Sequence, residues 1–219
     1  MRDLTRVETL KFSVPAAAAS ALLGLPRLLL WQEAPLPLWR LEGIVFLGSI
    51  VLWAFVFAWH RKYAHRPAFV LRPGWTLFAV ATVAGLFCAI VRKLVFDRVL
   101  SGVIPGYYPA NGSEWVAMLC FSLGFAQLML LFAPFAWLVR LSRSPGLAAT
   151  LTVLFGAFVF VLKIGPQASG LPMTLLAALL LDRVISGSLS MIFYLRGGVL
   201  LTCWMHLLVE IRLLPALHG

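Results

Sequence analysis

Long apolar runs alternate with short polar links along the chain, and their lengths set its architecture. An α-helix needs ~20 mostly apolar residues to cross the hydrocarbon of a bilayer. Runs of that order occupy 10–31, 41–59, 75–96, 115–139, 147–163, 171–194 and 198–214, which predicts about seven transmembrane helices. Pro15 and Pro26 interrupt the first run and predict a tilted or broken span. The same run follows basic residues, the order of a secretion signal. It continues through Leu28, Leu29 and Leu30 without a clean cleavage site, so it reads as a retained first helix. The links are short apart from 97–114 (DRVLSGVIPGYYPANGSE), the one substantial extramembrane loop expected. Without an internal repeat or a soluble domain, residues 1–219 read as a single integral membrane domain. Helices one to three lie in 1–96, the loop is 97–114, and helices four to seven lie in 115–214.

Composition fixes the class. A chain that is 62% hydrophobic and 12% charged, with mean hydropathy +0.95, carries too much apolar surface for a soluble domain of this length. The fold class expected is an all-α polytopic membrane protein. A net charge of +10 can signal nucleic acid, but here the basic residues gather at helix ends. Arg2, Arg6 and Lys11, then Arg61, Lys62, Arg66 and Arg72, then Arg140 and Arg143, then Arg196 fall on alternate links. Under the positive-inside rule these links are cytoplasmic. The expectation is a multi-pass protein of the bacterial inner (plasma) membrane, N-terminus cytoplasmic and C-terminus extracytoplasmic, with the lipid bilayer and no nucleic acid as partner. Arg92 and Lys93 depart from the pattern and are expected to snorkel or to pair with Asp97.

Candidate chemistry is sparse. Cys88, Cys120 and Cys203 sit in three separate runs, with the spacing of neither a disulfide framework nor a zinc motif. Asn111-Gly112-Ser113 matches the short, common N-glycosylation acceptor pattern. Charges concentrate in 171–214, where Asp182, Arg183, His206 and Glu210 fall within runs that hydrocarbon should surround. Such charges are costly and need partners or a function. The segment predicts two helices folded back at Arg196-Gly197-Gly198. Thr202, Cys203, His206 and Glu210 form one polar stripe, and Asp182, Ser186 and Ser190 form another. Facing stripes of this kind make a packing seam or a site, and the pattern leaves both open. Counted from the turn, Arg183 and Glu210 each lie thirteen residues out, ~20 Å deep, which predicts an Arg183–Glu210 ion pair with His206 one turn nearer the midplane. Asp182 points elsewhere and requires another partner, such as Arg92. Gln127 is expected to hydrogen-bond between helices and Lys163 to snorkel. His206 and Glu210 supply two ligands where a catalytic zinc needs three, and His60, His65 and His218 lie outside the spans. No metal or cofactor is expected, and G-x-S-x-G and H-E-x-x-H are absent.

The stretch ISGSLSMIFYLRGGVLLTCWMHLLVE resembles the last two helices of the CPBP family, the intramembrane proteases related to CAAX-processing and bacteriocin-immunity proteins. It shares that family's Y-x-R-x-G turn and its final histidine, here His206, with Glu210 where the family has asparagine. The likeness covers about 120–214. LTVLFGAFVFVLK is similar to the F-x-x-x-H helix, with Phe155 on the phenylalanine and Val159 on the histidine. Ala126-Gln127 then fall on the paired glutamates of E-E-x-x-x-R and Leu131 on its arginine. The resemblance implies a CPBP-like bundle in the C-terminal half, in which glutamate activates water with histidine help. Glutamine cannot accept a proton in that way. Two readings follow: a catalytically inactive protein acting as an accessory subunit or as a binder of a hydrophobic helix or lipidated peptide, and a divergent intramembrane peptidase using His206 and Glu210 with Gln127. The polar cluster expected is Asp182, Arg183, His206, Glu210 and Gln127.

Overall fold

A computed structural model describes residues 7–31, 36–64, 67–104, 108–164 and 171–214. Arg2, Arg6, His65, Arg66 and His218 lie outside the described residues. The described residues are mostly helical with no strand among them, and six helices are long and apolar enough to cross a membrane. Helix α1 is Val7–Leu29 and is continuous through both prolines. Helix α2 is Leu38–Trp59, prolonged by a π-helical turn His60–Ala64. Helix α3 runs Trp75–Arg92, widens into a π turn at Lys93–Asp97 and ends with Arg98–Val103. Helix α4 starts at Gly112–Phe121, passes through two π turns, Ser122–Ala126 and Leu128–Phe132, and ends with Ala133–Ser142. Helix α5 is Pro145–Ile164. Helix α6 is Met173–Glu210, followed by a 3₁₀ turn at Ile211–Leu213.

The predicted sixth and seventh spans are the two limbs of α6. An unbroken helix of its 38 residues would extend about 57 Å, yet both ends of α6 meet the same part of α3. Ala81 packs with Phe193, Leu201 and Met205, whereas Arg92 reaches Asp182 and Asp97 reaches Arg212. Ascending α3, one therefore descends the numbering of limb 173–197 and climbs that of limb 199–213. The reversal falls at Gly198, whose backbone is left-handed at φ 75°. A Cβ there would lie 2.6 Å from the Ala68 carbonyl oxygen, the same oxygen that accepts the Val199 N–H at 3.0 Å. Glycine is the residue that tolerates both the conformation and the approach.

The bundle is filled unevenly. At the end where α2 and α4 finish and α6 turns, Trp53, Trp59, Phe132, Phe135 and Tyr194 form a buried aromatic cluster. Its rings meet edge-to-face or tilted, Trp59 to Phe135 at 5.0 Å and Phe132 to Tyr194 at 4.8 Å, the arrangements aromatic pairs prefer. The outer surface is the reverse of a soluble protein's, with Leu22, Leu47, Val83, Phe87, Phe158 and Leu181 all exposed. A surface of that kind needs lipid around it.

The expected loop 97–114 is shorter in the structure. Helix α3 persists through its first residues, and Asp97 is buried at 5% exposure, because Arg212 and the Tyr108 hydroxyl bind its carboxylate. Asn111-Gly112-Ser113 forms the start of α4. The Asn111 side chain caps the helix by accepting the Glu114 N–H at 2.9 Å, and Glu114 reaches back to the Ala110 N–H, a reciprocal capping arrangement.

Candidate functional site

Opposite the aromatic cluster, the bundle encloses a cavity of about 420 Å³ between α1, α4, α5 and both limbs of α6. That size lies in the ~300–1,000 Å³ range of small-molecule sites. Helix α4 contributes Met118, Phe121, Ser122, Ala126, Gln127, Leu130 and Leu131. Helix α5 contributes Thr152, Val153, Gly156, Ala157, Val159, Phe160 and Lys163. Arg183, Ser186, Gly187 and Ser190 come from the first limb of α6, His206, Glu210 and Leu213 from the second, and Arg27 from the end of α1. The cavity thus runs from the helix ends that carry Arg27 and Lys163 down to mid-span at Gln127 and His206.

The local backbone explains part of its shape. Gln127 stands between the two π turns of α4, and such turns rotate the wall of a helix and frequently mark functional sites. Small residues thin the opposite walls. The Ser186 and Ser190 hydroxyls donate to the Arg183 and Ser186 carbonyls, one turn back, a habit of hydroxyls in spans. Gln127 is only 8% exposed, and its side-chain amide has no hydrogen-bond partner among the described residues. The Nδ1 atom of His206 is also buried without a hydrogen-bond partner. Two polar groups that face a cavity and stay unsatisfied by protein are available to whatever enters it.

Beside this cavity a smaller one of about 30 Å³, room for about a water or two, gathers Arg92, Asp97, Asp182, Arg183 and Arg212. Arg92 is 4% exposed and binds Asp182 at 2.8 Å and the Ser186 hydroxyl at 2.8 Å. Arg212, also 4% exposed, binds Asp97. Two paired couples inside a span satisfy the rule that buried charges come matched. Arg92–Asp182 fixes the first limb of α6 against α3 and Arg212–Asp97 the end of the second, which carries His206 and Glu210. The Trp115 indole N–H donates to the Glu210 carbonyl oxygen at 3.0 Å and ties the end of that limb to α4.

Of the expected polar cluster, Arg183, His206, Glu210 and Gln127 come together on the large cavity, while Asp182 turns to the small one and takes Arg92 as its partner. The expected Arg183–Glu210 ion pair is not formed. Counted from the true pivot at Gly198, Arg183 is fifteen residues out and Glu210 twelve, an axial offset of about 4.5 Å. The Arg183 guanidinium instead lies over the Phe160 ring, 4.1 Å from its centroid, a cation–π contact of the kind strengthened by a dry setting. Arg92 pairs with Asp182 rather than with Asp97. Arg27 lines the large cavity and Arg212 the small one, and the hydropathy pattern hides both, since each sits near the end of an apolar run. Among the described residues no three His, Cys, Asp or Glu side chains are placed to hold a metal ion. No protein-family model, curated protein or solved structure matches the chain.

Proposed function

We propose that the protein is a catalytically inactive membrane-embedded binding protein: a CPBP-like bundle that retains the cavity of an intramembrane protease and uses it to hold a hydrophobic helix or a lipid-modified peptide, as an accessory subunit of a bacterial inner-membrane assembly. The observation that carries this reading is convergence. Ala126, Gln127, Leu131, Val159, His206 and Glu210, the positions that the resemblance aligns with the polar residues of the protease motifs, come from three separate helices and all line one cavity, whereas Phe155, on the motif phenylalanine, does not. Glutamine, leucine and valine at those places leave no carboxylate or histidine from α4 or α5 on the cavity wall to activate water. An apolar cavity without its base is a binding site. A specific observation favours a second reading, divergent peptidase: His206 and Glu210 stand one turn apart on the same wall, and the Glu210 carboxylate has no ion-pair partner among the described residues.

The two readings separate in one assay. Purified protein in lipid nanodiscs is incubated with hydrophobic helical peptides and with lipid-modified peptides, and products are followed by mass spectrometry. The binding reading expects no cleavage, together with saturable capture of a peptide by a photoreactive residue placed at Val159. Turnover by the native chain that disappears in Glu210→Gln, at an unchanged thermal midpoint, would establish the peptidase instead.

A further inference from the structure

We infer that the large cavity is a water-binding site: ordered water reaches mid-span along the wall shared by α4 and the second limb of α6, held by Ser122, Gln127 and Glu210 beside His206. This holds under either reading of the function, because a binding cavity and a peptidase would both carry that water. Local backbone makes the wall polar. Residues five apart stand about 140° apart around a regular helix. The π turn that begins at Ser122 closes on Gln127, whose backbone N–H donates to the Ser122 carbonyl five residues back, and both residues line the cavity. On the neighbouring limb His206 and Glu210 follow one another at a single helical turn and line it too. The Cys203 thiol, 4.0 Å from the Leu123 carbonyl oxygen, holds that limb beside α4.

Protein does not satisfy these groups. The Ser122 hydroxyl, the Gln127 amide and the Glu210 carboxylate have no hydrogen-bond partner among the described residues. The opposite wall differs, since the Thr152, Ser186 and Ser190 hydroxyls donate to carbonyls of their own helices. The polar side chains of α4 and of the second limb make no direct bond to one another, and water bridges polar gaps of this kind. Other occupants leave groups stranded. Hydrocarbon against this wall would place an amide, a hydroxyl and a carboxylate unpaired in an apolar medium, each at a cost. Cavities that stay empty are apolar ones. Water donates to the carboxylate, accepts from the amide N–H and does both for the hydroxyl. At the ~30 Å³ that each molecule occupies in the liquid, about 420 Å³ holds on the order of a dozen.

Hydroxyl-radical footprinting of the full chain in lipid nanodiscs tests the site. X-ray pulses make the radicals from water where it stands, so side chains beside buried water are oxidised. Two native pairs serve. Leu131 lines the cavity and Leu128, equally buried on the same helix, does not. Phe160 lines the cavity and Phe158 faces outward at 58% exposure. Leu131 should be oxidised several-fold faster than Leu128, and Phe160 several-fold faster than Phe158. The double variant Ser122→Ala, Gln127→Met nearly keeps side-chain shape while removing the hydrogen-bonding groups, and it should bring the Leu131 rate down toward that of Leu128 at a retained thermal midpoint. The native comparison needs no variant and decides first: equal rates within both pairs overturn the inference. Fast oxidation that the folded double variant leaves unchanged overturns the assignment of the water to this wall. Fast oxidation of Leu131 in a protein that captures no peptide at Val159 would sink the binding reading and leave the water site standing.

Discussion

At the residue scale, the features that matter are few side chains in unusual places. Gly198 is the sharpest. Its left-handed backbone and its 2.6 Å clearance to the Ala68 carbonyl mean that Gly198→Ala adds both strain and a clash, and a destabilisation of about 1–3 kcal/mol is expected. A thermal melt in detergent checks this. An unchanged midpoint would place the reversal elsewhere. The turn itself was legible, since Arg196-Gly197-Gly198 separates two apolar runs, but its pivot was not. A shift of two residues moved Arg183 out of register with Glu210, and Phe160 took the guanidinium instead. Hydropathy cannot see such a contact, because it scores a ring and an aliphatic side chain alike. Periodicity puts His206 and Glu210 on one stripe of the last helix but leaves Gln127 on a separate one, and only motif spacing drew the three together.

At the element scale, the hairpin of α6 owes its position to α3. Arg92–Asp182 and Arg212–Asp97 bracket its two limbs at the same level, and the Trp204 indole N–H donates to the Thr82 hydroxyl at 2.9 Å nearer the turn. Gly85 permits the close approach, since a Cβ there would meet the Met205 carbonyl oxygen at 2.8 Å. Removing one member of a buried pair strands its partner, at a cost of about 3–5 kcal/mol, whereas replacing both with apolar residues costs far less. Arg92→Met alone should therefore destabilise strongly, and Arg92→Met with Asp182→Leu should recover much of the loss. A double-mutant cycle on unfolding midpoints measures this, and additive single effects would mean that the pair is not coupled. Helix count and type were legible from run lengths. The persistence of α3 beyond Asp97 was not, because a Gly- and Pro-bearing stretch reads as loop unless the buried partners of Asp97 are known.

At the scale of the whole molecule, an aromatic cluster closes one end of the bundle and a cavity lined by three cations occupies the other. Which end faces the cytoplasm then decides the side from which the cavity is entered. The basic links at 60–74 and 140–143 adjoin the aromatic end, and the positive-inside rule predicts that this end is cytoplasmic. On that orientation the cationic mouth would open toward the outer leaflet. Cysteine accessibility tests this directly. With Cys88, Cys120 and Cys203 replaced, all three lying within helices, a cysteine placed at exposed Ser113 should react with an impermeant maleimide on intact cells. One placed at exposed Tyr63 should react only after permeabilisation. The opposite pattern would turn the mouth inward.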